Sequence, residues 1–305
     1  MNSSPSPKTL IVINGPTAIG KTALSIKLAT HYDTEIISAD SRQFYKEMNI
    51  GTAVPNKEEL AAVPHHFIQH KSIHDSYNVG DYENEVIAKI TELFSLKNVL
   101  ILVGGSGLYI KAILEGMDEF PEIDASIREE LNLQLTEKGI SYLQNLLKQV
   151  DPDYYSKVDL NNPQRIIRAL EVSIQTQKPY SSFLKKKQTI RAFQAVNLAL
   201  NAPRNIIYDR INLRVDLMMK EGLLEEVVKL YPYKDLNALQ TVGYKELFNY
   251  IDGIYPLEFA VSEIKKNTRR YAKRQLTWLR KDSSIVWIEY DADFKTIIDN
   301  ISKKI

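Results

Sequence analysis

The chain has 305 residues, of which 44% are hydrophobic and 25% are charged, as in ordinary globular proteins, and its net charge of +1 favours no particular partner. No segment approaches the roughly 18 consecutive apolar residues of a membrane span, and the start lacks the apolar stretch of a secretory signal. Cysteine is absent, which excludes disulfides, thiolate nucleophiles and cysteine zinc sites. We therefore expect a cytoplasmic protein without a membrane anchor.

The first part of the chain alternates between strand-like and helix-like segments. Apolar, β-branched runs predict buried strands at 9–14, 35–39, 67–68 and 98–103. Apolar residues with helical spacing follow at 22–30, 82–96 and 106–114. This alternation predicts an α/β fold of the P-loop type, in which a mostly parallel sheet is flanked by helices.

The pattern changes at residue 118, after which helices follow one another without a convincing strand until residue 190. Asp124 is expected to cap one of these helices, and Asn162 followed by Pro163 is expected to begin another. Strand-like runs return at 195–200 and 285–289, with helices between them. We therefore predict a P-loop catalytic core at 8–117 and 191–305, interrupted by an all-helical insertion domain at 118–190.

A phosphate-binding loop is predicted at 15–22, where GPTAIGKT matches G-x-x-x-x-G-K-[ST] between a strand and a helix. Backbone amides and the positive end of the helix would bind phosphate oxygens, and Lys21 would neutralise the terminal ones. The Thr22 hydroxyl would reach a bound Mg²⁺. The expected diphosphate-binding residues are Gly15, Pro16, Thr17, Ala18, Ile19, Gly20, Lys21 and Thr22. The loop indicates a polyphosphate ligand but does not identify it as ATP.

Motifs that accompany this loop in GTPases and kinases are missing. No glycine has an aspartate three positions earlier, and the segment 56–59 (NKEE) fails the N-K-x-D pattern. The strongest predicted strand, 98–103, ends in Gly-Gly-Ser, where ATPases and kinases usually have a metal-binding aspartate. Asp40, at the end of the strand 35–39, is the acid best placed for chemistry, because ligands bind at this edge of open α/β sheets. The alternative role for Asp40 is to cap the next helix.

A series of segments in this chain resembles the tRNA dimethylallyltransferase family in order and spacing, from about residue 10 to 281. The segments are GPTAIGKT, SADSRQFYKEMNIGTA, PHHF, LVGGSGLYIKAIL, DPDYY, NNPQRIIRALEV, RINLRVDLMMKEGLLEEV, QTVGYKE and TRRYAKRQLTWLRK. The resemblance implies transfer of a dimethylallyl group from dimethylallyl diphosphate to N6 of the adenosine 3′ of the tRNA anticodon (position 37), with release of diphosphate and with Mg²⁺ required.

The resemblance also implies catalytic roles for four residues. Asp40 matches the base that takes the amine proton, and Thr17 matches the partner of the bridging oxygen. Lys21 and Arg214 match the phosphate clamp. This agrees with the chemistry, because an adenine amine is a poor nucleophile that a carboxylate can assist, and because a leaving diphosphate gains charge that donors can stabilise. Without the resemblance, Arg214 would be interpreted as a solvated surface charge.

Contacts with the tRNA anticodon stem-loop are implied at Asp40, Ser41, Arg42, Gln43, Ser106, Arg128, Gln164, Arg165, Ile166, Ile167, Arg168, Arg270, Lys273 and Arg274. Independently, the segment 265–281 holds eight basic residues and no acidic one. On one helix, Lys266, Arg269, Arg270, Lys273 and Arg280 would form an unmixed basic face, which is typical of phosphate contacts. For Gln164, Arg165 and Arg168, the alternative is the solvated side of a helix.

Four histidines at 65, 66, 70 and 74 suggest a metal site, but a strand in this segment would scatter them, so we expect structural or substrate-side roles. Three rival functions remain: prenylation of a free adenine nucleotide, a small-molecule P-loop kinase, and a non-catalytic RNA-binding protein. The insertion and the basic helix argue against the first, because a mononucleotide needs neither. We expect a monomer.

Overall fold

Six parallel strands form one sheet in the computed structural model, which describes residues 7–184 and 189–305. In chain order the strands are β1 Thr9–Asn14, β2 Ile36–Ser38, β3 His65–His66, β4 Val99–Val103, β5 Gln194–Asn201 and β6 Val286–Glu289. Their order across the sheet is β3-β2-β4-β1-β5-β6, and every neighbouring pair is parallel. The carboxyl ends of all these strands therefore share one edge.

The helices that accompany this sheet lie between and after its strands in the sequence. They are α1 Lys21–His31, α2 Lys57–Ala62, α3 Val79–Phe94, α4 Gly107–Glu115, α9 Arg204–Lys220, α10 Leu223–Leu230, α11 Tyr244–Ile251, α12 Leu257–Leu279 and α13 Phe294–Ser302. Short 3-10 helices lie at Tyr180–Phe183, Tyr231–Tyr233 and Asn237–Leu239. No helix within the described ranges is long and apolar enough to cross a membrane.

Both faces of the central strand β1 are buried. Because successive side chains of a strand point to opposite faces, Leu10 and Val12 pack in one cluster with α3 and α4, and Ile11 and Ile13 pack in another with α1, α9 and α13. A parallel sheet covered on both faces needs such continuous apolar runs. The predicted α/β fold of the P-loop type is confirmed.

A third hydrophobic cluster joins α10, α11 and α12 to the segment that follows β2. Here the Glu226 carboxylate accepts hydrogen bonds from the backbone N–H groups of Asn49, Ile50 and Gly51 at 3.1, 2.8 and 3.0 Å. The Tyr244 hydroxyl donates to the same carboxylate at 2.6 Å, and its ring lies against Gly51. The carboxylate thereby satisfies three backbone donors and fixes a loop that has no strand or helix of its own.

The remaining helices belong to a second compact unit, Gly116–Thr189, whereas Met1–Glu115 and Ile190–Ile305 form the first. They are α5 Ala125–Lys138, α6 Ile140–Val150, α7 Pro152–Tyr155 and α8 Pro163–Thr176. Asp124 caps α5 by accepting from Ser126 N–H, and Asn162 caps α8 by accepting from Arg165 N–H, so both predicted caps are confirmed. Positions 1–6 and positions 185–188, which the sequence places in the predicted insertion, lie outside the described residues.

Two local predictions differ from the structure. The short strand lies at His65–His66, and the prediction of a strand at 67–68 was wrong, because Phe67 has φ of 62°, outside the β region. Helix α2 was not predicted from its short, polar sequence. It begins with a capping box in which Asn56 and Glu59 each bond the backbone of the other.

Replacing Gly104 by alanine is expected to lower the free energy of unfolding by about 3 kcal/mol. The added methyl group would lie 2.3 Å from the Ala39 carbonyl oxygen, a backbone atom directly after β2 whose displacement would distort the sheet. Urea denaturation measures the change. The control is Gly80→Ala, whose methyl group would meet only the Asn78 side-chain oxygen, at 3.1 Å. Equal stability of the two variants would contradict the argument.

Candidate active site

A cavity of about 1360 Å³ opens at the carboxyl ends of β1, β2 and β4. Its walls include the loop after β1, the turn after β2, the Gly104–Gly105 turn after β4, and parts of α9 and α12. Thr17, Lys21, Asp40 and Arg214 all line it, although 197 positions separate the first from the last. The structure therefore brings together the four side chains for which the sequence predicted catalytic roles.

The phosphate loop runs from the end of β1 into α1, as its motif requires. Gly15 has φ of 144°, and a Cβ there would lie 3.1 Å from the Leu200 carbonyl oxygen, so only glycine fits this turn. The Lys21 ammonium donates to the carbonyls of Gly15 and Pro16, both at 3.0 Å. The Thr22 hydroxyl forms no hydrogen bond within residues 7–184 and 189–305 and lines the cavity, so it is available to a ligand or a metal.

The charges in this cavity alter one another's ionisation. Burial lowers the pKa of Lys21 to about 8, although the nearby Asp40 carboxylate acts in the opposite direction. Burial raises the pKa of Asp40, and the Arg42 N–H group and the cations Lys21, Arg42 and Arg214 offset part of that rise. A carboxylate with a raised pKa is a stronger base than an ordinary one.

Arg214 supplies a second cation to the same space. Burial lowers the pKa of its guanidinium, which Asp40 and Glu59 partly counteract. Its side chain forms no hydrogen bond or ion pair with any other described residue, so its donors are available in the cavity. Arg210, one turn earlier on α9, instead donates to the Ile19 carbonyl at 3.0 Å and stacks over Tyr290. The two arginines thus differ in role, because one supports the loop and the other faces the cavity.

Asp40 begins a turn and does not cap a helix. Its carboxylate accepts from Arg42 N–H at 3.2 Å, but residues 41–44 form turns and α2 begins only at Lys57. The predicted alternative, a helix cap, was therefore wrong. Ser41 N–H donates to the Ser106 hydroxyl at 3.0 Å, which joins the turns after β2 and β4.

Two side chains predicted to contact tRNA hold neighbouring loops. The Arg42 guanidinium donates to the carbonyls of Asn237 and Ala238, at 3.0 and 2.9 Å. The Gln43 amide donates to the carbonyls of Thr52 and Ala53, at 3.2 and 2.9 Å. Their contact with tRNA stays a prediction, and any such contact would use the donors and acceptors that these bonds leave free.

The sequence analysis missed Gln275 on α12. Its side chain is buried and bonds both the phosphate loop, at Thr17, and the Gly105 carbonyl. Tyr271, one turn earlier, donates to the same carbonyl at 3.3 Å. A signal was present, since Gln275 lies three residues after Ala272 and four before Leu279 on the buried side of the helix. A polar residue in such a stripe needs hydrogen-bond partners.

Helix α12 carries the predicted basic segment, and only part of that segment is unpaired. Lys266 pairs with Glu263, so the prediction of an unmixed basic face was wrong at this residue, whereas Arg269 donates to the neutral amide of Asn212 on α9 at 2.7 Å. Arg270, Lys273 and Arg274 are exposed and form no ion pair with a described acidic residue. Arg280 and Lys281, at the end of the same segment, are also exposed and form no ion pair with a described acidic residue, so they extend this free basic surface.

The second unit contains the other residues predicted to contact tRNA. Glu171, which is almost fully buried, accepts two hydrogen bonds from Arg128 at 2.7 and 2.8 Å and one from Arg168 at 2.6 Å. Gln164 and Arg165 are exposed. The side chains of Ile166 and Ile167 are fully buried in the hydrophobic core of this unit, so predicting their contact with RNA was wrong for these side chains.

The histidines predicted to be structural do not converge on one point. His66 bonds Glu35 at 2.5 Å, and His65 bonds the Val63 carbonyl at 2.7 Å. His70 packs edge-on against aromatic rings, and His74 packs against Tyr233. In the part of the chain that the structure describes, no three side chains from histidine, cysteine, aspartate and glutamate form a metal-binding group.

We expect the affinity for inorganic pyrophosphate to fall between pH 7 and pH 9 about fivefold more in the wild type than in Lys21→Met. Since the pKa of Lys21 is lowered to about 8, its ammonium is mostly present at pH 7 and mostly lost at pH 9. Isothermal titration at both pH values measures the difference, and the variant corrects for the titration of pyrophosphate itself. Parallel pH dependence in the two proteins would contradict a role for the Lys21 charge.

Comparisons with known proteins identify the family of this chain. Residues 43–282 match the model of the family described as IPP transferase. The tRNA dimethylallyltransferase of Christiangramia forsetii is 62% identical over 97% of this chain and 98% of its own, and that of Flavobacterium johnsoniae is 58% identical over 96% and 97%.

Solved structures give the same result. The full-length tRNA isopentenylpyrophosphate transferase of Bacillus halodurans superposes with a TM-score of 0.71 at 38% identity, covering 97% of this chain and 95% of its own. A eukaryotic dimethylallyltransferase acting on tRNA superposes with a TM-score of 0.80 at 27% identity, covering 97% and 77%. The chain therefore belongs to the IPP transferase family and is an enzyme.

Proposed function

We propose that this chain transfers a dimethylallyl group from dimethylallyl diphosphate to N6 of the adenosine 3′ of the tRNA anticodon, at position 37, and releases diphosphate. The observation that carries the proposal is the shared cavity, in which a phosphate loop and a partly buried carboxylate with a raised pKa lie together. Its volume of about 1360 Å³ can hold both a prenyl diphosphate and an extruded purine. The tRNA acceptor makes the cytoplasm the expected compartment.

The donor side uses the phosphate loop. Backbone N–H groups of residues 18–22, the Lys21 ammonium and the Arg214 guanidinium would bind the diphosphate oxygens, and the Thr17 hydroxyl would donate to the bridging oxygen. When the allylic C–O bond breaks, its electron pair passes to that bridging oxygen. Donors fixed in a partly buried site stabilise the new charge more than water would.

Magnesium fits the donor side as an ion bound by the diphosphate oxygens. Mg²⁺ prefers oxygen ligands and is commonly held by substrate phosphates, one or two protein oxygens and water. The unpartnered Thr22 hydroxyl offers such an oxygen, and the described residues offer no group of three metal-binding side chains that would hold the ion by themselves. The bound ion would neutralise charge on the diphosphate.

The acceptor side uses Asp40. The adenine N6 lone pair is delocalised into the ring, so attack on the allylic carbon becomes easier if a base removes a proton from N6 as the C–N bond forms. The Asp40 carboxylate would accept that proton. A base within an anticodon loop must first leave its stack to reach such a pocket, and the exposed basic side chains of α12 can hold the RNA backbone while it does so.

Prenylation of unmodified tRNA by labelled dimethylallyl diphosphate and Mg²⁺ tests the proposal. Asp40→Asn keeps the shape of the side chain but removes the base, so we expect kcat to fall about 100- to 10,000-fold. Asp291→Asn, at an exposed aspartate far along the chain, is the matched control and should keep wild-type kcat. Labelling of AMP alone, or turnover of ATP without labelled tRNA, would instead support the free-nucleotide or kinase alternatives and refute the proposal.

The exposed basic side chains of α12 predict a salt effect. Lys273→Ala should weaken tRNA binding and should reduce the slope of log affinity against log salt concentration by about 1, because one phosphate contact is lost. Filter binding between low and moderate salt measures the slope. Lys303→Ala, at an exposed lysine after α13, is the control. An unchanged slope in Lys273→Ala would show that this side chain makes no phosphate contact.

A further inference from the structure

Gln275 connects two loops of the candidate active site through one amide group. Its side-chain oxygen accepts a hydrogen bond from Thr17 N–H at 3.0 Å, and its side-chain nitrogen donates to the Gly105 carbonyl at 2.9 Å. One partner needs an acceptor and the other needs a donor, so the amide satisfies both in a single orientation. A carboxylate of the same size lacks the donor, and a hydrocarbon side chain lacks both groups, so neither can make both bonds.

The bond to Thr17 fixes the phosphate loop. Phosphate loops bind their ligand through backbone N–H groups, but the Thr17 N–H group is already engaged by Gln275. The bond therefore sets the orientation of the peptide group before Thr17. The position of the Thr17 hydroxyl, which would donate to the bridging oxygen, depends on that orientation.

The bond to Gly105 fixes the turn beside the proposed base. A Cβ atom at Gly105 would lie 2.7 Å from the Gln275 amide nitrogen and 3.7 Å from the Asp40 carboxylate. Gly105 thus lies between Gln275 and Asp40, with no room for a side chain on the Gln275 side. Tyr271, from the same helix, donates to the same carbonyl and supports the turn.

We propose that Gln275 is a positioning residue for prenyl transfer, which holds the phosphate loop at Thr17 and the Gly105 turn beside Asp40 at a set distance. The inference rests on the proposed function. The two reactants bind on opposite sides of this bridge, with the diphosphate on the Thr17 side and the adenine on the Asp40 side. Loss of the bridge leaves the groups that bind each reactant in place but lets the reacting atoms drift apart.

The expected kinetic result is a loss of kcat without a matching change in KM. Displacement of reacting groups by about 1 Å can cost on the order of 100-fold in rate. For Gln275→Leu we therefore expect kcat to fall about 10- to 100-fold, while KM for tRNA and for dimethylallyl diphosphate each change by less than about threefold. Gln275→Glu keeps the acceptor for Thr17 but loses the donor to Gly105, and it should also lower kcat.

The matched control is Gln194→Leu. Gln194 lies on β5, and its amide donates to the Thr9 hydroxyl at 2.9 Å, at the amino-terminal edge of the sheet. This variant loses a side-chain hydrogen bond of similar length away from the cavity, so its kcat should remain that of the wild type. Urea denaturation of each variant gives its folded fraction, by which kcat is corrected.

A second approach changes the other partner. Gly105→Ala would displace the Gln275 amide, so it should lower kcat as Gln275→Leu does. If the two residues act through one contact, the double variant should be no slower than the slower single variant. Full additivity of the two losses would overturn the proposal.

The outcomes separate this inference from the proposed function. An active wild type with an unchanged kcat in folded Gln275→Leu would overturn the positioning role alone. A loss of activity that only matches the unfolded fraction would do the same. A wild type that leaves tRNA unlabelled would overturn the proposed function and this inference together.

Discussion

The candidate site depends on three charged groups, Lys21, Asp40 and Arg214, that lie together at one partly buried edge of the sheet. Each charge alone would be costly to bury, because little water remains to solvate it. Burial sets the direction of each pKa shift, lowering that of Lys21 and Arg214 and raising that of Asp40, and the attraction between Asp40 and the two cations offsets part of this cost. The arrangement leaves one excess positive charge, which a diphosphate would neutralise. The site is therefore suited to an anionic ligand before any other residue is considered.

The order of the strands explains why these groups can surround a ligand. The phosphate loop follows β1 and Asp40 follows β2, but β4 lies between these two strands. A bulky side chain after β4 would fill the space between the loop and the carboxylate. The turn there is Gly104-Gly105, and Gly104 passes so close to the Ala39 backbone that no Cβ fits. The Gly-Gly-Ser sequence that replaces the metal-binding aspartate of kinases thus keeps an open space for the substrate.

The sequence predicted what depends on local patterns. The strands at 9–14 and 98–103, the caps Asp124 and Asn162, and the phosphate loop each follow from a few neighbouring residues, and the structure contains them. The short strand at His65–His66 was misplaced because a positive φ at Phe67 leaves no mark in hydropathy. Pairing across the chain was also invisible, as with Arg269 and Asn212 or Gln275 and Thr17. Such contacts depend on how helices cross, which one sequence does not state.

The contacts around the loop at 49–51 limit which substitutions this chain can accept. Its three N–H groups share the Glu226 carboxylate, the Tyr244 hydroxyl donates to that carboxylate, and the missing methyl group of Gly51 makes space for the tyrosine ring. Loss of the Glu226 carboxylate would leave N–H donors unpaired, loss of the Tyr244 ring would leave an empty volume, and a side chain at Gly51 would collide with that ring. Evolution should therefore have retained or replaced these three positions as a set, and a family alignment should show them covarying.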